Sequence, residues 1–159
     1  MVVATIIVVA SLAVSRMLTR DLEVEERHKM EIWAEAMRTL NLADENTDLN
    51  LVLRVINDNN SIPVVVLDAK GHVQSARNVN VQGQSDANSV KKVNAMAQQL
   101  LAEGRFVRIS LNDASKNEYI YVCYADSLML QRLAIYPYVQ LGIGLIFVLV
   151  ALMALRTSK

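Results

Sequence analysis

Residues 62–79 read IPVVVLDAKGHVQSARNV. The first half is a continuous apolar run, Val64 to Leu67, closed by Asp68. The second half, His72 to Val79, mixes polar and apolar residues with a period near two. Ala69-Lys70-Gly71 lies between them. An apolar run, a short glycine-bearing turn and an alternating run predict a β-hairpin, with Gly71 supplying the positive φ that such turns require. Asp68 is placed to organise the turn.

Working outward, 80–84 is a polar connector, and Asp86 to Glu103 carries Val90, Val93, Ala97, Leu100 and Leu101 at helical spacing, with Gly104 as its stop. Phe106 to Leu111 predicts a strand, 112–117 a turn, and Glu118 to Ala125 (EYIYVCYA) the returning strand. Upstream, Thr47 or Asp48 is placed to cap a short helix that buries Leu49, Val52, Leu53 and Ile56. Before it, Arg16 to about Leu42 forms one long helix. Met30, Trp33, Met37 and Leu40 make its apolar stripe, and residues 23–29 (EVEERHK) make a polar middle. These elements predict an α+β fold, an antiparallel sheet with helices on one side.

The two ends are different in kind. Tyr138 to Leu155 (YVQLGIGLIFVLVALMAL) has one polar side chain, Gln140, follows Tyr136-Pro137-Tyr138 and precedes Arg156 and Lys159. An apolar run near the ~20 residues a bilayer demands, aromatic at one end and basic at the other, reads as a transmembrane helix with its basic end in the cytoplasm. Met1 to Ser15 (MVVATIIVVASLAVS) carries no charge but is shorter. It lacks the basic start of a signal peptide and runs directly into a helical pattern, so it is expected to be a truncated first span. The expected organisation is therefore 1–15 transmembrane, 16–135 an extracytoplasmic domain, 136–155 transmembrane, and 156–159 the start of a cytoplasmic segment. Gly142 and Gly144 read either as a surface for close helix approach in a dimer or as glycines simply tolerated in lipid.

Composition agrees with this division. The chain has 159 residues, 16 basic against 16 acidic, and a mean hydropathy of +0.25. Balanced charge removes the electrostatic argument for a nucleic-acid partner. One cysteine, Cys123, excludes an intrachain disulfide, so the domain is held by packing alone or by pairing with a second copy.

The hairpin, the long membrane-emerging helix and the ending LQRLAIYPYVQLGIGLIFVLVALMALRTSK together resemble the input half of Bacteroidetes membrane sensor histidine kinases. The hairpin is similar to the strand, Asp-x-x-Gly, strand element of PAS-like extracytoplasmic sensors. The resemblance implies a homodimer in the bacterial inner membrane, multi-pass, with a PAS-like sensor domain in the periplasm that relays a small-molecule or protein stimulus. It also implies a cytoplasmic core that uses ATP and Mg to phosphorylate a histidine and passes the phosphate to a response regulator. The sequence has no phosphoacceptor helix and no ATP-binding Gly/Asn motif, and His28 and His72 fall outside the membrane in the expected topology. The expectation is an excised input module without catalytic residues. A membrane-anchored structural or partner-binding protein is the alternative.

Three sets of residues are chemical candidates. Tyr119, Tyr121 and Cys123 share one strand face, Ile120, Val122 and Tyr124 the other. If one face lines a ligand pocket, Tyr119 and Tyr121 form its walls and Arg77, Asn78, Arg105 and Arg108 its polar contacts. The plainer reading is a sheet with one wet face. His28 shares a helix face with Glu25, Glu31 and Glu35, a pattern that suits a solvated charged helix better than a metal site. Cys123 reads as a small core residue rather than a redox switch.

Overall fold

The computed structural model of the protein describes residues 2–80, 86–111 and 118–157. Among these, the elements are α1 (Val2–Asn41), α2 (Asn50–Asp58), β1 (Val64–Leu67), β2 (Val73–Arg77), α3 (Asp86–Ala102), β3 (Phe106–Ser110), β4 (Tyr119–Tyr124) and α4 (Leu128–Thr157). They divide into two compact units, Glu25–Ser127 and a second made of Met1–Val24 with Leu128–Lys159. The predicted turn at 112–117 and most of the connector at 80–84 lie outside the described residues.

The Glu25–Ser127 unit is built on one antiparallel sheet of order β2-β1-β4-β3. The predicted hairpin is there: β1 pairs with β2, Val64 opposite Arg77 and Val66 opposite Ser75. Its turn is tied by Asp68, whose carboxylate accepts from the backbone N–H of Lys70 (2.9 Å) and of His72 (2.8 Å). Those donors hold the Asp68 carboxyl below its ordinary pKa. Gly71 sits at φ +84, in the left-handed region where a β-carbon is costly.

The sheet is covered on both faces, not on one as expected. Val64, Val66, Ile109, Ile120, Val122 and Tyr124 pack under Met30, Trp33 and Ala34 of α1. Val65, Leu67 and Cys123 pack under Val93, Ala97 and Leu100 of α3. β1 is the reason: it lies between β2 and β4, and every residue of it is buried. A strand whose alternate side chains are all apolar can be satisfied only by a layer on each side.

The helices themselves deviate locally from expectation. α2 starts at Asn50 with Leu49, not Thr47 or Asp48, at its N-cap position and no side-chain cap bond there, and Asp48 accepts from the Asn50 N–H (3.0 Å). Thr47 instead bonds back to the Asp44 carboxylate at 2.6 Å. Leu53 is 43% exposed and Val90, at the start of the α3 stripe, is 60% exposed. Of the α2 stripe Ile56, half-buried, packs against the sheet core, and of the α3 stripe Val93, Ala97 and Leu100 are buried against it.

In the other unit, α4 is long and apolar enough to cross a membrane, and it alone meets that description among the described residues. Two spans were expected. The apolar run of α1 ends at Ser15, with Arg16, Arg20 and Asp21 following within two turns. Within this unit Gln140 of α4 and Ser11 of α1 bond reciprocally. The Ser11 hydroxyl donates to Gln140 Oε1 at 3.0 Å and accepts from Gln140 Nε2 at 2.8 Å. Gln140 is the single polar side chain of the apolar run, and the pairing satisfies it. An unpartnered amide in an apolar medium costs several kcal/mol, roughly 4 or more by hydrocarbon transfer.

Candidate functional site

The strand pairings decide which candidate residues can meet. Arg77 lies opposite Val64, whose side chain is in the α1-side core. Arg108 lies opposite Tyr121, which packs with the α3-side core. Residues directly opposite in an antiparallel pair share a face, so Arg77 and Arg108 are on different faces of the sheet. The six candidates therefore do not line a single pocket.

On the α3 side, Tyr119, Tyr121 and Arg108 do come together. The Arg108 guanidinium lies 4.0 Å from the centre of the Tyr119 ring, within cation–π range. Tyr119 and Tyr121 meet edge to face with centroids 5.2 Å apart, and Phe106 meets Tyr121 at the same distance. Tyr119 and Tyr121 are half-buried and Arg108 is exposed. The neighbouring Tyr119 raises the pKa of the Tyr121 phenol. This is a self-contained aromatic ladder with one cation stacked on it.

Arg77 and Asn78 are occupied elsewhere. Arg77 donates to Asn57, at 3.3 Å to its carbonyl and 3.4 Å to its side-chain oxygen. Asn78 stands in the left-handed region at φ 57, a conformation asparagine tolerates better than most residues. Its amide donates to the carbonyls of Asn59 and Ile62, both at 3.0 Å. The two residues fasten the end of β2 to the α2–β1 loop. Beside them, a recess of about 250 Å³ opens between Trp33, Met37 and β2, with Arg77 at its edge.

Arg105 belongs to a junction that sequence reasoning missed. Its guanidinium pairs with the Asp126 carboxylate and lies 5.7 Å over the Tyr124 ring. The ion pair raises the Arg105 pKa against the effect of burial. One residue on, Ser127 is 2% exposed. Its backbone N–H (3.2 Å) and its hydroxyl both donate to the carboxylate of Glu26 on α1. Ser127 immediately precedes α4. Ala125, Asp126 and Ser127 are the only residues between β4 and that helix, and within the Glu25–Ser127 unit the Glu26 carboxylate ties the last of them to α1. Serine ahead of a helix was the available sequence signal. Glu26, 101 positions away, gave none.

The His28 cluster is distributed over cations. Glu25 pairs with Lys29 at 2.9 Å and Glu35 with Arg38 at 3.2 Å, while His28 stands 3.8 Å from Glu31. Among the described residues no group of three or more His, Cys, Asp or Glu is placed to hold a metal ion.

Cys123 is fully buried, and desolvation pushes its thiol up to about 11. An unfolded cysteine ionises near ~8.5. Below that pH the thiol is neutral in both states and contributes no pH dependence. Between the two values the unfolded state loses its proton first, so stability falls as pH rises toward 11. At pH 8 the native thiolate is expected to be scarcer than that of the denatured chain by roughly a hundredfold. Alkylation by iodoacetamide is therefore expected to slow by at least that factor on folding. Equal rates in native and denatured protein would contradict the burial.

No family model matches the chain, and no curated protein or solved structure matches it either.

Proposed function

We propose that the chain is the input module of a two-component sensor histidine kinase. In this reading α1 and α4 both lie in the bacterial inner membrane, and the Glu25–Ser127 unit is a PAS-like periplasmic sensor. Two copies pair, and a kinase core that uses ATP and Mg continues from α4 in the cytoplasm and serves a response regulator. The observation that carries the reading is the junction at Asp126-Ser127. A displacement of β4 has only three residues in which to dissipate before α4 begins, and Glu26 ties the same point to α1. A relay needs an element with two arrangements that both ends can bias. The Glu26–Ser127 and Arg105–Asp126 pairs, made or broken, supply one. The reciprocal Ser11–Gln140 bonds support α1 as a membrane partner of α4, because polar side chains join helices in lipid.

The exposed leucines of α2 favour a second reading. Leu51 is 72% exposed and Leu53 43%, which suits a membrane-anchored protein whose outer unit binds another protein and transmits nothing.

A fusion separates the two readings. With the chain joined after Thr157 to the cytoplasmic core of a histidine kinase, Glu26→Ala and Arg105→Gln are expected to change autophosphorylation at least about threefold, a shift of about 0.65 kcal/mol or more in the signalling equilibrium. Autophosphorylation identical to the parent in both variants, with hydrogen exchange at Ser127 accelerated, would rule out the relay and leave the partner-binding reading.

A further inference from the structure

We propose that the groove between α1 and α4 binds the headgroup of an aminophospholipid of the phosphatidylethanolamine kind. The proposal rests on the reading that these two helices lie in a membrane. The groove encloses about 760 Å³. Part of its lining is apolar, with Leu12 on α1 and Leu141 on α4. The charged part is Arg16, Arg20 and Glu23 from α1, and Tyr138 of α4 also lines the groove. Spacings of four and three residues put the three charges on one helix face. Among the described residues the side chains of Arg16, Arg20 and Glu23 make no hydrogen bond or ion pair.

The order of these groups matches one ligand chemistry. Along α1 the apolar run comes first, then Arg16 and Arg20, then Glu23 about 4.5 Å of helix rise further out. A phospholipid presents acyl chain, phosphate and head amine in that same order. Two unpaired guanidiniums beside an apolar wall recognise the phosphate, with bidentate geometry available to each. The carboxylate beyond them recognises a primary ammonium, which donates hydrogen bonds, better than a quaternary one, which does not. A phosphate ion free in solution leaves the apolar wall without a partner. A second copy of the chain fits worse. Two-fold pairing through this groove would set Arg16 and Arg20 against their own counterparts, and like charges brought together oppose association.

The test uses the full chain, exchanged from detergent into vesicles of phosphatidylethanolamine, phosphatidylglycerol and phosphatidylcholine in equal amounts. Retained lipid is read by native mass spectrometry. Retention of phosphatidylethanolamine is expected to exceed that of phosphatidylcholine several-fold. Arg16→Gln with Arg20→Gln is expected to lower retention of every phospholipid about tenfold, while Arg16→Lys with Arg20→Lys keeps most of it. Glu23→Gln is expected to abolish the preference for phosphatidylethanolamine while retention of phosphatidylglycerol holds or rises. Equal retention of the three lipids, or the glutamine pair behaving as the parent, would overturn the site. Co-flotation with the vesicles keeps the two levels apart. A chain that floats without lipid preference loses only the site. A chain that floats with no vesicle loses the membrane reading and the site with it.

Discussion

Replacing Trp33 with alanine is expected to destabilise the Glu25–Ser127 unit by about 3–5 kcal/mol, the cost of truncating a buried aromatic side chain without refilling its space. Trp33 is 4% exposed and packs against the β1 and β4 side chains on the α1 face of the sheet. Its indole N–H also donates to the carbonyl of Ile56 at 3.2 Å, joining α1 to α2 over the sheet. Alanine removes both the volume and the bond, and the recess already present between Trp33, Met37 and β2 would enlarge. Trp33→Phe keeps most of the volume and loses the donor, so it is expected to cost only about 1–2 kcal/mol. Urea unfolding of the full chain in detergent, followed by far-ultraviolet circular dichroism, reads both. A loss below about 1 kcal/mol for the alanine variant would show that α1 does not close this face of the sheet.

The local elements were legible because their signals are local. Val64 to Leu67 followed by Asp68 and Gly71 is a hairpin by pattern and turn chemistry alone, and β1 and β2 form there. The α1 stripe was legible for the same reason: Met30 and Trp33 recur at helical spacing and both are buried. The second covering layer was also encoded. An uninterrupted apolar β1, and Val122-Cys123-Tyr124 without a polar break, mark strands with no wet side. The expectation of one wet face came from the split of Tyr119, Tyr121 and Cys123 from Ile120, Val122 and Tyr124, yet Cys123 is as fully buried as Val122. The strand with exposed positions is β2, at the edge of the sheet. What no local pattern held was the pairing of β1 with β4, which places Arg77 and Arg108 on opposite faces and separates the proposed contacts of a single pocket. Register between distant strands is set by the whole core. The Glu26–Ser127 contact has the same origin, since both residues are ordinary in sequence and become partners only when α1 lies along the sheet.

Placing Leu145→Lys and Val148→Lys together in α4 is expected to abolish its membrane insertion. Each lysine near the centre of a span costs about 2.5–3.5 kcal/mol and forfeits a few tenths more from the residue it replaces, so the pair shifts insertion by about 6 kcal/mol or on the order of ten-thousandfold. Leu145 and Val148 are exposed on α4, so neither change disturbs a packed protein interior. Accessibility to a membrane-impermeant maleimide in intact cells gives the readout. The buried Cys123, with its thiol raised to about 11, provides a silent background. In the parent, a label site at Ser61→Cys is expected to react and one at Thr157→Cys is not, because the proposed topology puts the two on opposite sides of the bilayer. With the lysine pair, Thr157→Cys is expected to become as reactive as Ser61→Cys. The same measurement judges α1, since Ile7→Lys with Val14→Lys changes labelling only if that helix is also embedded. Unaltered protection of Thr157→Cys in the α4 lysine variant would mean that α4 does not cross the membrane, and the relay drawn through Ser127 would have nothing on the far side to reach.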